Sequence, residues 1–288
     1  ASSSEKLQSK KAQHTDPYIR VCSEEELIEV EDVVAVRSIG VVTPATSFFR
    51  SKILSTPIER EITYRQLSSL PRPTPDLYVA GSFKSIDPAI AGEVRTTYTG
   101  IYGPEDMDLD EATGRLYISS ADRWKTQQGL PSDDAIWVLD VDSATAPRRL
   151  ADNYNGEFHP HGIAFYRKDT VSLLFAVNHN AAGNFVEVFR IQGDSLVHQR
   201  SYADAMMCCP NDVGAVGEDK FYVTNDHGNP KGFKRTMEDY GRLPYSSLLY
   251  AEGGVFRTAY EGLRYGNGVN INADGTRLYV AATTGRSL

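Results

Sequence analysis

Cysteine is scarce in this chain of 288 residues: there are three, and two of them, Cys208 and Cys209, are adjacent. Adjacent cysteines do not readily bridge each other, so only Cys22 is a distant partner and a disulfide framework is excluded. No asparagine stands in an Asn-x-Ser/Thr sequon, and the polar first residues contain no apolar signal core. These absences slightly favour a cytoplasmic over a secreted protein.

Long apolar runs and clusters of positive charge are also missing. No stretch approaches the roughly 20 apolar residues that a transmembrane helix needs. The 38 acidic residues outnumber the 30 basic ones, which gives a net charge of −8, and no Lys/Arg stripe is present. A nucleic-acid-binding surface is therefore not supported. With 41% hydrophobic residues, the chain can still bury a sizeable core.

A proline-rich stretch, residues 70–76, divides the chain. It holds three of the 14 prolines, which stiffen and extend the backbone. We interpret it as the boundary between a partly flexible N-terminal extension, residues 1–75, and a main domain, residues 76–288. An ordinary surface loop is the alternative interpretation.

A strand–turn–strand pattern recurs along the main domain. Each unit opens with Pro or Gly, continues with polar residues and a short apolar/polar alternation, and returns through a turn into an apolar strand, which is typical of a β-hairpin. The four units are residues 104–120, 160–179, 210–227 and 266–284. Their opening positions, separated by 55, 50 and 56 residues, are Asp106, His161, Asn211 and Asn267. This period, with about four strands per unit, predicts an all-β fold, a β-propeller.

The residues that open these hairpins are rich in oxygen donors. Equivalent strands of a propeller surround a central channel, which brings their first residues together. The ring consists of Glu105, Asp106, His161, Asn211, Asp212 and Asn267. Ca²⁺ takes six to eight oxygen ligands, whereas Zn²⁺ prefers Cys and His, so the ring predicts a calcium site. The alternative is that Asn and Asp serve only as turn residues.

His161 opens the second hairpin and His179 closes it. Because the two strands run antiparallel, both imidazoles can lie at the same end of the hairpin. Such a pair can activate a water molecule, while a nearby cation polarises a carbonyl group. A purely structural hydrogen bond of His179 across the hairpin is the alternative.

Five segments carry a family resemblance: GPEDMDL (103–109), FHPHGI (158–163), LFAVNH (174–179), PNDVGAVGEDKFYVTNDH (210–227) and GNGVNI (266–271). Through them the chain resembles the paraoxonase/arylesterase family of calcium-dependent lactonases over roughly residues 100–284. The resemblance implies a six-bladed β-propeller with one catalytic and one structural calcium ion.

The resemblance also assigns roles to single residues. It places Glu105, Asn211 and Asn267 on the catalytic calcium. It places Asp106, Asp212 and the backbone carbonyl of Ile163 on the structural calcium. His161 and His179 would be the hydrolytic dyad, and Asp226 would support it.

The length of the chain conflicts with six complete blades. At a period near 53 residues, six blades need about 320 residues, and residues 101–288 contain four clear units. We therefore expect that a C-terminal blade is missing, or that a second polypeptide or a missing C-terminal segment closes the propeller. The family's later Asp-Asn pair of calcium ligands has no counterpart before Leu288.

The leading functional hypothesis is a calcium-dependent hydrolase of esters or lactones. Its substrate would be a small hydrophobic ester, a lactone or a polyketide- or terpenoid-like molecule. One alternative is a non-hydrolytic cyclase, pericyclase or condensing enzyme of secondary metabolism, in which calcium is structural. A further alternative is a propeller that serves as a binding module.

Overall fold

A computed structural model describes residues 96–143, 145–272 and 275–288. The expected N-terminal extension, residues 1–75, and the proline-rich boundary lie outside the described residues. No helix in the described part of the chain is long and apolar enough to cross a bilayer.

The described chain is built from antiparallel sheets whose strands follow one another in sequence. The first sheet contains β1 (Pro104–Asp110), β2 (Arg115–Ser120), β3 (Ala135–Asp140) and β4 (Arg148–Arg149). The second contains β6 (Pro160–Lys168), β7 (Val171–Asn180), β8 (Gly183–Gln192) and β9 (Ser195–Tyr202), with β5 (Ala151–Asp152) parallel to β9. The third contains β10 (Pro210–Ala215), β11 (Lys220–Asn225), β12 (Ser246–Glu252) and β13 (Val255–Leu263). The fourth contains β14 (Gly266–Ile271) and β15 (Leu278–Ala282).

The first strand of each sheet contacts the first strand of the next, from β1 to β6, β10 and β14. This places four sheets side by side around one axis, which is the arrangement of propeller blades. The four predicted hairpins are confirmed as β1–β2, β6–β7, β10–β11 and β14–β15. The all-β propeller prediction is thus confirmed for four adjacent blades.

The core lies between neighbouring blades. Strand β7 is buried on both faces: Leu174 packs toward the first blade, and Phe175 packs toward the third, where it meets Phe221. A strand that is buried on both sides reads as a continuous apolar run, as residues 173–177 do. The second blade is therefore held firmly on both sides.

Two short helices interrupt the strand pattern, and neither was expected from the sequence. Helix α1 (Arg123–Gln127) follows β2, and helix α2 (Phe233–Gly241) follows β11. Asp122 caps α1 by accepting a hydrogen bond from the amide of Lys125. Both helices follow the strand end that bears the candidate site.

A β-bulge occurs at the same place in all four blades. In each first strand, two residues lie opposite one residue of the second strand. The bulged pairs are Glu105–Asp106, His161–Gly162, Asn211–Asp212 and Asn267–Gly268. Bulges re-aim side chains and are common next to active sites. The recurring bulge therefore explains why the predicted site residues come in adjacent pairs.

The bulges also correct the alignment of the repeats. The repeat spacing makes Asp106 equivalent to His161, but the strand register makes Glu105 the equivalent of His161 and Asp106 the equivalent of Gly162. The strand openings at Pro104, Pro160, Pro210 and Gly266 align without a gap in this register, so the repeat spacing was wrong by one residue in the first blade alone.

Candidate active site

The second residue of the bulge is Asp106 in the first blade, Gly162 in the second and Asp212 in the third. The carboxylates of Asp106 and Asp212 contact each other beside Gly162. A Cβ atom on Gly162 would lie 2.3 Å from Asp212 Oδ1. Glycine is therefore required here because two neighbouring blades approach too closely for a side chain. This role of Gly162 was not among the sequence predictions, and its only signal in the sequence is the alternation Asp, Gly, Asp, Gly at equivalent positions.

Each of these carboxylates also accepts a backbone hydrogen bond from the following blade. Asp106 Oδ2 accepts from the amide of Ile163 at 2.7 Å, and Asp212 Oδ2 accepts from the amide of Val269 at 2.7 Å. Ile163, predicted as a carbonyl ligand, is buried and lies beside Asp106.

Burial raises the pKa of Asp106, and burial together with the nearby Asp106 raises the pKa of Asp212 well above its usual value. Two buried carboxylates in contact need a shared proton or a cation to offset their repulsion. The pair therefore fits the predicted structural calcium.

At the first bulge position of the first blade, Glu105 has one carboxylate oxygen that accepts no hydrogen bond in the described chain. Its Oε1 lies 2.5 Å from His161 Nε2. Its Oε2 is buried and has no hydrogen-bond partner in the described chain. Arg123 Nη2 of helix α1 lies 3.0 Å from this oxygen, within ion-pair distance but outside hydrogen-bonding geometry. A buried carboxylate oxygen without a hydrogen bond is a natural cation ligand.

The first bulge positions of the third and fourth blades carry amides. Asn211 is 5% exposed, and its side chain makes no hydrogen bond to any residue that the structure describes. Asn267 donates from Nδ2 to Thr283 Oγ1 at 3.0 Å, which leaves its amide oxygen available.

Within the described chain no cluster of three or more His, Cys, Asp or Glu side chains is arranged to hold a metal. A cation here therefore needs the amide oxygens as well as the carboxylates. The donor set of Glu105, Asn211 and Asn267 consists only of oxygen, which suits Ca²⁺.

The two predicted dyad histidines are in direct contact. His161 Nδ1 lies 3.0 Å from His179 Nε2. Burial, followed by the neighbouring His179, lowers the pKa of His161 well below its ordinary value. Burial is also the main cause of the lowered pKa of His179. Both rings are therefore neutral near pH 7, as a general base must be.

Asn184, a residue that the sequence analysis missed, fixes the hydrogen positions in this pair. Its Nδ2 donates to the carbonyls of Met207 at 3.1 Å and Cys208 at 3.0 Å. Its Oδ1 must then accept from His179 Nδ1, at 2.8 Å. His179 Nε2 is left to accept from His161 Nδ1, so the neutral His161 ring has its lone pair at Nε2. The hydrogen in the 2.5 Å contact between His161 Nε2 and Glu105 Oε1 then belongs to the carboxyl group of Glu105. The signal for Asn184 was its place opposite His179 in the tight β7–β8 hairpin.

Asp226 lies at the corresponding end of the third blade and is joined to His227. Asp226 Oδ1 contacts His227 Nδ1 at 2.7 Å, and Asp239 of helix α2 contacts His227 Nε2 at 2.7 Å. Burial lowers the pKa of His227, but the two carboxylates outweigh burial and raise the pKa to about 9. This imidazolium joins helix α2 to the strand end beside the candidate site.

Comparison with known proteins gives matches over most of the described chain. The profile of the Arylesterase family matches residues 109–288. Serum paraoxonase/arylesterase 2 of Gallus gallus is 32% identical over 188 residues, which are 62% of this chain and 53% of that protein. Serum paraoxonase/arylesterase 1 of Homo sapiens is 36% identical over 127 residues, 43% of this chain and 36% of that protein. The chain thus spans about half the length, or less, of these relatives.

Among solved structures, a gluconolactonase from Xanthomonas campestris aligns with a TM-score of 0.44 and 15% identity, over 63% of this chain and 54% of that one. A calcium-binding regucalcin from Agrobacterium tumefaciens aligns with a TM-score of 0.39 and 13% identity, over 64% of this chain and 52% of that one. The family profile covers more than half of the sequence, and so the chain belongs to the arylesterase family.

Proposed function

We propose that this chain is a hydrolase of esters or lactones that depends on calcium and uses His161 and His179 to activate water. The observation that carries the proposal is the continuous chain of contacts from Glu105 through His161 and His179 to Asn184. Membership of the arylesterase family supports the same reaction class.

His161 Nε2 is the atom that would take the proton from water, once Glu105, which lies 2.5 Å from it, binds the cation instead. His161 Nδ1 keeps its hydrogen, because it donates to His179 Nε2. His179 Nδ1 keeps its hydrogen as well, because it donates to Asn184. His179 therefore orients the base and stabilises the imidazolium that forms, as the second member of a catalytic pair does.

The residues that would hold the catalytic calcium are Glu105, Asn211 and Asn267. Asp106 and Asp212, together with the carbonyl of Ile163, would hold the structural one. When bound beside the dyad, calcium supplies a Lewis acid for the substrate carbonyl and for the oxyanion that develops on it.

The substrate we propose is a small, largely apolar ester or lactone. Exposed aromatic side chains stand on the two helices that follow the site-bearing strand ends, at Trp124 and Phe233. They suit an apolar acyl or aryl group better than a charged one.

The test combines chelation with a single substitution. EDTA should abolish hydrolysis of an aryl ester and of an aliphatic lactone, and added Ca²⁺ should restore it. His161→Gln should lower kcat by about 10²–10⁴-fold, because the general base is lost. His198→Gln, on β9 of the same blade, is the matched control and should keep turnover near that of the parent protein.

Undiminished turnover after both treatments would contradict the proposal. A conversion that survives loss of both His161 and His179 would favour a non-hydrolytic cyclase instead.

A further inference from the structure

Cys208 and Cys209 lie in the bend that leads into β10. Neighbouring side chains of a strand point to opposite faces, but here both thiols reach the same loop. Cys208 Sγ donates to the carbonyl of His227 at 3.1 Å, and Cys209 Sγ donates to the carbonyl of Asn229 at 3.4 Å. The two sulfur atoms therefore lie on one side of the backbone.

The peptide group between the two cysteines forms hydrogen bonds with two asparagine side chains. Its carbonyl, from Cys208, accepts from Asn184 Nδ2 at 3.0 Å. Its amide, from Cys209, donates to Asn225 Oδ1 at 3.2 Å. Asn184 in turn fixes the hydrogen position of His179. The orientation of this one peptide is thus linked to the dyad by two hydrogen bonds.

We propose that Cys208 and Cys209 form an oxidation site, at which a peroxide converts both thiols reversibly into a vicinal disulfide and thereby releases Asn184 from the Cys208 carbonyl. The effect on turnover rests on the function proposed above, whereas the modification itself does not.

Hydrogen peroxide is the oxidant, and the reaction has two steps. The Cys208 thiolate attacks one peroxide oxygen, the O–O bond breaks, and a sulfenic acid and hydroxide form. The Cys209 thiol then attacks the Cys208 sulfur and expels the sulfenic oxygen as water. Overall, two thiols and one hydrogen peroxide give one disulfide and two waters.

The surroundings favour this order of events. Cys208 is half-buried and Cys209 is buried, so peroxide reaches Cys208 first. The hydrogen bond with Cys209 lowers the pKa of the Cys208 thiol, and a lowered pKa favours the thiolate that attacks the peroxide.

Ring closure strains the backbone, because neighbouring Cα atoms are about 3.8 Å apart and ordinary disulfides span about 4.4–6.8 Å. The peptide in the ring must turn, and its two hydrogen bonds to asparagines are lost with that turn. Strained disulfides are also the readily reduced, regulatory ones, which makes the change reversible.

The first experiment tests the modification without any assay of turnover. Cys22→Ser protein is treated with hydrogen peroxide, alkylated and digested with trypsin, which yields the peptide of residues 201–220 with both thiols. We expect this peptide to lose two hydrogen atoms and to become resistant to alkylation until dithiothreitol is added. Oxidation of Met206 and Met207 is distinguishable, because it adds oxygen and does not reverse with dithiothreitol.

Thiols that stay alkylatable, or that proceed to sulfinic acid without a disulfide, would overturn the proposal. So would an identical response of Cys209→Ser protein, which keeps Cys208 but cannot form the ring.

The second experiment tests the link to the dyad. Peroxide should shift the side-chain amide NMR signals of Asn184, which are identified by their loss in Asn184→Leu. It should also lower ester turnover at least about tenfold, with recovery in dithiothreitol and no such loss in Cys209→Ser relative to its own untreated rate. A disulfide that leaves the Asn184 signals and turnover unchanged refutes the link. Absence of turnover in the reduced protein would refute the proposed function, while the mass and NMR measurements still decide the thiol site.

Discussion

The second and third blades present the same backbone positions with different chemistry. His161 and Asn211 occupy the same bulge position, and His179 and Asp226 occupy the same strand end. The two blades also share a backbone hydrogen bond. The amide of His179 donates to the carbonyl of His159, and the amide of Asp226 donates to the carbonyl of Cys209. The fold thus provides two side-chain positions per blade, and the residue types at these positions determine the role of each blade.

The two blades also differ in how the strand end continues. The second blade turns tightly into β8, which places Asn184 opposite His179. The third blade inserts helix α2 instead, and this helix supplies Asp239 to His227. Consequently the second blade ends in a neutral histidine with a lowered pKa, and the third ends in a charged one.

The largest expected effect comes from exchanging the residues at the shared bulge position. His161→Asn gives the second blade the residue of the third and should lower kcat by about 10²–10⁴-fold, because the base is lost, with an unchanged calcium requirement. Asn211→His is the reverse exchange and should raise the calcium concentration for half-maximal turnover, because imidazole is a poor calcium ligand. Titrations of turnover against calcium measure both. If both variants changed the same parameter, the division of roles between the blades would be wrong.

The next effect concerns the charged histidine of the third blade. The folded pKa of His227 is raised to about 9 by Asp226 and Asp239, against 6.5 in the unfolded chain, although burial and Arg235 act in the opposite direction. Its contribution to stability is therefore fully present below about pH 6.5 and is lost as the pH rises through about 9. That contribution is of the order of 3 kcal/mol.

Denaturant unfolding between pH 6 and pH 10 measures this contribution. The free energy of unfolding of the parent should fall toward that of His227→Gln as the pH rises. Parallel curves for the two proteins would show that His227 is neutral in the folded state.

The blades and the contact between His161 and His179 were predictable because their signals are local. Alternation of apolar residues, Pro or Gly at strand starts and polar turns define each hairpin within about 20 residues. His161 and His179 belong to one hairpin, so an antiparallel register alone is sufficient to bring them together.

Local signals were too weak to assign roles to Gly162, Arg123 and Asn184, because those roles depend on distant segments. Gly162 matters only because β10 passes close to β6. Arg123 lies on a five-residue helix with no apolar periodicity, yet it reaches Glu105. Asn184 depends on two carbonyls of residues 207 and 208, in a bend that no local pattern defines.

Gly162 and Gly268 give a matched comparison, since both lie beside Asp212. A Cβ on Gly162 would lie 2.3 Å from Asp212 Oδ1, whereas the nearest atom to a Cβ on Gly268 is Asp212 Oδ2 at 3.7 Å. Gly162→Ala should therefore lower the free energy of unfolding by about 1–3 kcal/mol, and Gly268→Ala should change it little. Urea titrations measure the free energy of unfolding of both variants. Equal losses of stability in the two variants would mean that the blades can move apart at β6.

The smallest effect is expected for Asn184, which acts on the reaction only through His179. Asn184→Ala removes the acceptor for His179 Nδ1 and should lower kcat about tenfold with little change in KM. Asn184→Asp keeps the acceptor but adds a charge that favours the protonated imidazole. It should therefore raise the pKa of His179 and move the acid limb of the pH–rate profile to higher pH. If Asn184 were purely structural, both substitutions would lower stability, and the folded, active fraction would keep the pH–rate profile of the parent protein. The shift of the acid limb is therefore the measurement that separates the two roles.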